Sequence, residues 1–566
     1  MMLGDNLPAS PDGSRRKLGL WHASPAHCER YAVHAAFLFA ALLCLLSLYQ
    51  TSLLFIDTLY DIYIPLNAAL RLLQGAWPSR DYPSPIGLLY AVMHGLMLWI
   101  DSVDARSVIR ADVVILLLSY LLLWPNMQGL PRALKAIAIV LLAGMMMTPL
   151  ALDSSWGSYR YVADYNRWSW AFYAVVLAWI CNPAARGPFA QIAVALALCC
   201  LLYLKLTVFA GAALTLGAGF FNGRRQAEYV VPVLAVILAI GIGTMAGVFL
   251  PYLRDNIAAS HATNSLRLGK FLVQFLAPYN FPAILMAIAV CFVRELPGRI
   301  RMLPLCCMFI QQAVALQNFD VMVPLTGLPL LFLAPQLAWV KPRFLKPALM
   351  PFPALLQAAY IFSVAALAFA AQAHVAAASK AQSVSDPQTL GERLKISTLP
   401  STGFGTGGGD LPYADDVIVH DMQSALELLA QLPQGTHVAT LEVTNIAAAA
   451  WPRLRPSTGG LLWYDYHRSY SEEAYPAPGE AFAGADVILV PVHFTTASAR
   501  QLVALYRPWL DRCANMIAAN DLWQLYRPKG NSENLTQPGT AKSVSDGKSP
   551  AQLSMLDADC FILARP

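Results

Sequence analysis

Long apolar runs recur along the chain from residue 31 to residue 374, separated by short segments that hold most of the nearby charge. Crossing about 30 Å of hydrocarbon takes roughly 20 apolar residues in a helix. On that measure the pattern predicts helices near 31–52, 108–125, 134–151, 168–181, 188–204 and 206–221, then near 230–251, 279–293, 301–318, 321–340 and 350–373. The fold class expected is an α-helical polytopic membrane protein of about eleven transmembrane helices with a C-terminal extracytoplasmic α/β domain.

Loop charge orients the bundle. Lys and Arg accumulate in cytoplasmic loops. With residues 1–30 inside, alternate loops carry Arg132 and Lys135, then Arg186, Arg224 and Arg225, Arg294, Arg299 and Arg301, and finally Lys341, Arg343 and Lys346. An odd number of spans leaves the C-terminus outside. The apolar stretch Ile86 to Ile100 is short and follows Pro83 and Pro85. As a span it would invert every later loop, so the charge rule predicts a membrane-embedded helix that does not cross. Residues 53–107 then form one external loop. Within it Ile62, Leu66, Ala69, Leu70 and Leu73 repeat at helical spacing, and Gly75 and Pro78 end the helix.

Beyond the bundle, residues 375–414 have the Ala, Ser and Gly texture of a linker, and residues 415–566 that of a small folded domain. Val417 to Val419, His437 to Val443 and Asp486 to Val492 are expected strands, alternating with helices at Met422 to Leu432 and Ala497 to Leu510. Residues 531–550 form a flexible loop, and Cys560 to Ala564 a last strand.

Composition agrees with the pattern: 57% of residues are hydrophobic and 13% charged, against about 25% charged in ordinary soluble domains. The net charge of +5 is orientation signal and not a nucleic-acid footprint. Most of the ten cysteines lie in apolar runs as small packing residues. Cys513 and Cys560 share the tail, where an extracytoplasmic location permits a disulfide. The N-terminal apolar run is too long for a signal peptide and is expected to remain as a span. With no phosphate-binding glycine loop, HExxH or CxxC pair, the sequence gives no support to a nucleotide-driven pump or a zinc protease.

Chemistry is expected where carboxylates sit at the external boundary. Asp57 and Asp61 follow the first span; Asp153 and Asp164 occupy the next external loop. A carboxylate at a low-dielectric boundary costs free energy as an ion. Such a group suits a general base that takes a proton from an acceptor hydroxyl, with a second carboxylate orienting the acceptor or a divalent metal. Helix capping is the structural alternative. Lys205, alone in an apolar turn, is placed to meet an anionic leaving group or else snorkels to the interface. Arg80 and Arg167 are further external cations. Asp81, Tyr82, Tyr165 and Asn166 are the polar and aromatic groups expected to contact sugar or acceptor, although an interfacial aromatic belt also explains the rings.

The stretch Asp61-Ile62-Tyr63 through Arg71-Leu72-Leu73-Gln74-Gly75, followed by Trp77-Pro78-Ser79-Arg80-Asp81-Tyr82, resembles the GT-C glycosyltransferases. These polytopic enzymes include protein O-mannosyltransferases and lipid A aminoarabinose transferases. The resemblance runs over roughly residues 31–225. It implies an inverting transfer from a polyprenyl-phosphate sugar to a cell-envelope acceptor. Asp61 would act as base, Asp164 as second acidic residue and Lys205 as lipid-phosphate contact. Family members often carry Asp-Glu where this chain has Asp61-Ile62, and the nearest second carboxylate is Asp57. The implied setting is a bacterial inner membrane, with the lipid-linked donor entering from the bilayer and no nucleic acid involved. A lipid or glycan transporter and a non-enzymatic assembly protein are the readings from other classes. A glycan ligase or polymerase is a nearer alternative.

Overall fold

Helices in lipid keep apolar residues on their outer faces, and the bundle here does so. The computed structural model describes residues 25–49, 53–55, 59–100, 106–147, 164–219, 225–262, 280–317, 325–337, 351–363, 396–398 and 415–529, apart from a few single positions. The elements are α1 (Pro25–Leu48), β1 (Leu53–Phe55), α2 (Leu59–Leu73), α3 (Leu88–Ile100), α4 (Arg106–Leu123), α5 (Arg132–Met147) and α6 (Asp164–Cys181). They continue as α7 (Pro188–Leu202), α8 (Leu206–Ala218), α9 (Val230–Met245), α10 (Phe249–Ala262), α11 (Phe281–Cys291), α12 (Gly298–Gln317) and α13 (Leu328–Leu337). Three stretches, Tyr31–Leu48, Arg106–Met127 and Gln226–Met245, are long and apolar enough to cross a membrane, and several shorter apolar helices accompany them. On α1 and α9, Leu38, Leu45, Ile237 and Leu238 are exposed; a lipid-facing surface accepts such side chains without cost.

The centre of the bundle is α6, buried on nearly every side, as a helix apolar all round must be. It packs against α4, α5, α7, α8 and α13. The expected single span over 230–251 is instead broken, because α9 stops at Ala246 and Gly247 and α10 starts anew at Phe249. Gly247 has φ +70, a conformation that suits glycine and ends helices.

On the loop side, α2 covers the predicted repeat and ends as expected at Gly75, whose φ of +85 costs glycine little. The Pro-rich segment after it is tied by its own groups. Asp81 Oδ2 accepts from Trp77 N at 2.6 Å, Ser79 N donates to the Tyr82 carbonyl at 2.8 Å, and Ser79 Oγ donates to the Ser84 carbonyl at 2.9 Å. Ser84 N then donates to Asp255 Oδ2 at 2.8 Å, joining the segment to α10.

The C-terminal domain contains α14 (Asp415–Leu429), β3 (His437–Thr440), β4 (Arg455–Pro456), β5 (Val487–Pro491), α15 (Ala497–Cys513), β6 (Ala514–Ala519) and β7 (Trp523–Pro528). Its sheet runs β4-β3-β5-β7-β6. The first three strands are parallel, and the hairpin β6-β7 closes the sheet antiparallel. Within the predicted linker, β2 (Ile396–Thr398) pairs in parallel with β1. The expected strand at Val417 to Val419 is a correction: those residues belong to α14, where Asp421, Met422, Ala425, Leu428 and Leu429 are buried at helical spacing and burial overrides β-branched propensity. Cys513 is disulfide-bonded; Cys560 and the expected strand at 560–564 lie outside the described residues, as does the loop at 531–550.

Candidate functional site

Three elements bring ionisable groups to the N-terminal end of α6. Asp164 is its first residue and is 3% exposed on its side chain. From α3, His94 places Nε2 2.8 Å from Asp164 Oδ2. The approach lies at ion-pair distance but off a hydrogen-bond direction, and among the described residues neither His94 nitrogen has a hydrogen-bond partner. Aromatic rings enclose the imidazole. Trp168 stacks on it at 5.0 Å, Tyr90 meets it edge-on at 4.6 Å, and Tyr165 meets Tyr90 at 5.7 Å. The Trp168 indole donates to Asp112 Oδ1 at 2.6 Å, so a second buried carboxylate, from α4, joins the cluster. Asp164 and Arg167 lie within electrostatic reach of Asp112.

The cation comes from the turn between α7 and α8. Lys205 Nζ donates to Asn166 Oδ1 and lies 4.6 Å over the Tyr165 ring. That turn is held against α3 by two backbone bonds, Gly87 N to the Leu204 carbonyl at 3.1 Å and Leu89 N to the Tyr203 carbonyl at 2.9 Å. Only glycine fits at position 87, since a Cβ there would meet the Tyr203 oxygen at 2.1 Å. Thus α3 and the α7–α8 turn are fixed together, and both face the first turn of α6.

Of the residues expected from sequence, Asp164, Tyr165, Asn166, Arg167 and Lys205 therefore share one location. Asp61 lies in the first turn of α2, with its side chain outside what the structure describes, and Asp57 and Asp153 are likewise outside it. Arg80 and Asp81 form an exposed ion pair at 2.8 Å, with Arg80 also 5.1 Å over the Trp77 ring. The Asp81 carboxylate raises the pKa of Arg80 above its ordinary value by accepting its hydrogen bond. Tyr82 is turned inward under Arg71, whose guanidinium lies 4.6 Å from its ring centre; burial raises the phenol's pKa while the Arg71 charge opposes the rise.

Two members of the cluster were not among the expected site residues. His94 stands out in sequence only as a polar residue in an apolar run. Asp112 had a clearer signal: it lies inside the predicted span 108–125, and an ionisable residue there is a functional candidate by default. Among the described residues no group of three His, Cys, Asp or Glu side chains is disposed to hold a metal ion.

No protein-family model matches the chain, and no curated protein matches it in sequence. Two of the solved structures that resemble it are the following. One is ArnT from Cupriavidus metallidurans in the apo state, 11% identical, with a TM-score of 0.42, covering 90% of this chain and all (100%) of that one. The other is the archaeal oligosaccharyltransferase AglB from Archaeoglobus fulgidus, solved with an inhibitory peptide and a dolichol-phosphate. It is 12% identical, with a TM-score of 0.29, covering 90% of this chain and 75% of that one. Both are GT-C proteins.

Proposed function

We propose that this chain is an integral membrane glycosyltransferase that moves a sugar from a polyprenyl-phosphate donor to an extracytoplasmic cell-envelope acceptor, inverting the anomeric carbon. The observation that carries the reading is that Lys205, bound to Asn166, comes to the same first turn of α6 that begins with the buried Asp164, 2.8 Å from His94. A transfer from a lipid phosphate needs one group to accept the acceptor's proton and a cation to meet the departing charge, and this turn supplies the cation.

In this reading the acceptor oxygen forms its bond to the anomeric carbon from the face opposite the phosphate. The carbon–oxygen bond to the phosphate breaks, with its electron pair going to the phosphate oxygen. Asp61, in the first turn of α2, takes the acceptor's proton, and Asp57 is the next candidate. Lys205, oriented by Asn166 and Tyr165, neutralises the phosphate as it leaves, with Arg80 and Arg167 as further cations on that side. Asp164, beside His94, is a positioning carboxylate, and Asp81 and Tyr82 serve the acceptor side through the loop they hold in shape. The protein would sit in a bacterial inner membrane, its N-terminus cytoplasmic and its C-terminal domain extracytoplasmic.

The test is transfer of radiolabelled sugar from a polyprenyl-phosphate donor pool to endogenous lipid or polymer in membranes. Wild type and Asp61→Asn are compared at matched protein levels. Asn keeps the shape and removes the base, so transfer should fall by about 10²–10⁴-fold. Equal activity in the variant would remove Asp61 from the role, and no transfer from any donor tried would sink the glycosyltransferase reading.

A further inference from the structure

Lys205 stands at the N-cap of α8, with extended backbone and no side-chain cap hydrogen bond. A lysine ammonium has no acceptor to offer the amides that follow it, and the helix dipole disfavours a cation at that end. Serine, threonine, aspartate or asparagine ordinarily fills such a position. Here the cap comes from another helix. Leu206 N, the first amide of α8, donates to the Tyr252 hydroxyl of α10 at 3.1 Å, and Tyr252 is only 1% exposed. With the helix end satisfied from outside, the Lys205 side chain is turned to Asn166 and the Tyr165 ring.

A second tyrosine holds the same turn. Tyr203 donates its hydroxyl to the Ala239 carbonyl of α9 at 2.6 Å, and it lies so close to Gly243 that a Cβ there would come within 1.8 Å of its oxygen. The two anchors therefore straddle the break at Gly247, one on α9 and the other on α10. Three residues beyond Tyr252, and so on the same side of α10, Asp255 accepts from Ser84 N. Ser84 Oγ donates to the Ile86 carbonyl at 2.7 Å, and Gly87 N donates to the Leu204 carbonyl. Hydrogen bonds thus run from α10 through the Pro-rich loop to the turn, and return to α10 through Tyr252.

We infer that Tyr203 and Tyr252 are positioning residues for the transfer: they fix the turn so that the Lys205 ammonium meets the departing lipid phosphate, and neither touches substrate. The part played by the phosphate rests on the reaction proposed above; the anchoring of Lys205 by the two hydroxyls does not.

Amine-reactive labelling of the full chain in neutral detergent, read by peptide mass spectrometry, tests the anchoring without any donor. Tyr252→Phe removes the hydroxyl and keeps the ring. The labelling rate at Lys205 should rise at least about threefold, the scale of one lost hydrogen bond, while the exposed Lys529 of the C-terminal domain keeps its rate and serves as reference. Tyr203→Phe should act in the same direction, and it decides the matter if Tyr252→Phe does not fold. An unchanged rate at Lys205 in the folded variants would overturn the anchoring. In transfer assays each variant should lose about tenfold or more in kcat with little change in donor KM, because Lys205 acts on charge that develops as the phosphate leaves. In a Lys205→Met background the same substitutions should cost nothing further, since no ammonium remains to be positioned. An equal fall in both backgrounds would mean a general loss of structure and overturn the positioning role. If labelling responds while wild type transfers from no donor, the anchoring stands and only the reaction assignment is lost.

Discussion

An imidazole and a carboxylate shut away from water together stabilise one another, and removing either leaves the other in a place it would not choose alone. Such a change commonly costs about 3–5 kcal/mol. His94→Phe keeps a ring for Trp168 to stack on but leaves Asp164 beside Asp112 without the imidazole. The variant should therefore unfold at clearly lower temperature in detergent. An unchanged unfolding temperature would count against the pair. Another buried acid makes a prediction about pH. Asp421 in α14 is 2% exposed, with neither carboxylate oxygen hydrogen-bonded among the described residues, and burial pushes its pKa up to about 6 against the opposing pull of Trp523, His420 and His493. The folded chain then keeps a proton that the unfolded chain releases near pH 4. Its contribution to stability accordingly falls as pH rises from about 4 to about 6, by no more than about 2–3 kcal/mol, and is level above that. Asp421→Asn should flatten this segment of a stability-versus-pH curve measured by thermal unfolding; an unchanged slope would remove Asp421 as its source. At this scale the sequence shows residues whose position is itself unusual, such as Asp164 at a boundary and Lys205 in an apolar turn. It does not show partners, because His94 meets Asp164 across 70 residues of chain and only packing of α3 on α6 makes them a pair.

Elements depend on close approach as much as on composition. The start of α3 lies on the α7–α8 turn because Gly87 has no side chain, and the two backbone bonds there carry Lys205 to its place. Gly87→Ala would drive a Cβ into the Tyr203 carbonyl. Since that neighbour is backbone and cannot rotate away, we expect about 1–3 kcal/mol of destabilisation or more together with loss of transfer. Gly217→Ala, in α8, has open space around it and should retain both stability and activity. Should Gly87→Ala keep wild-type activity and Tm, the contact between α3 and the turn does not position Lys205. The apolar helices and α2 were legible because periodicity and length report them directly. The start of α14 was not, since Val417, Ile418 and Val419 carry strand propensity that the buried face of a longer helix overrides. Nor was the hairpin β6-β7: Ala514–Ala519 shows no alternation of buried and exposed positions, and its pairing with Trp523–Pro528 gives it the shape its own residues do not specify. The break between α9 and α10 turned on Gly247, one residue inside an otherwise continuous apolar run.

Across the whole molecule, the question is whether the C-terminal domain rides freely on a linker or is seated on the membrane domain. Composition suggests the former. Polar contacts argue for the latter: Leu462 N donates to the Pro83 carbonyl at 3.3 Å, the Asn67 amide reaches the Leu462 carbonyl at 3.5 Å, and α2 packs on the turn formed by Ile446–Ala450. These contacts fall on the Pro-rich loop whose other end, through Gly87, holds the Lys205 turn. A domain seated there meets the same loop that borders the proposed reaction site. Residues joined by one backbone hydrogen bond have Cα atoms roughly 5–6 Å apart, within the span that a disulfide bridges. Pro83→Cys combined with Leu462→Cys should therefore cross-link readily under mild oxidation. If the seated arrangement is the working one, the cross-linked chain should keep most of its transfer activity, and reduction should change little. Activity that vanishes on cross-linking and returns on reduction would mean that the domain must lift during turnover, and failure to cross-link would mean that it is seldom seated at all.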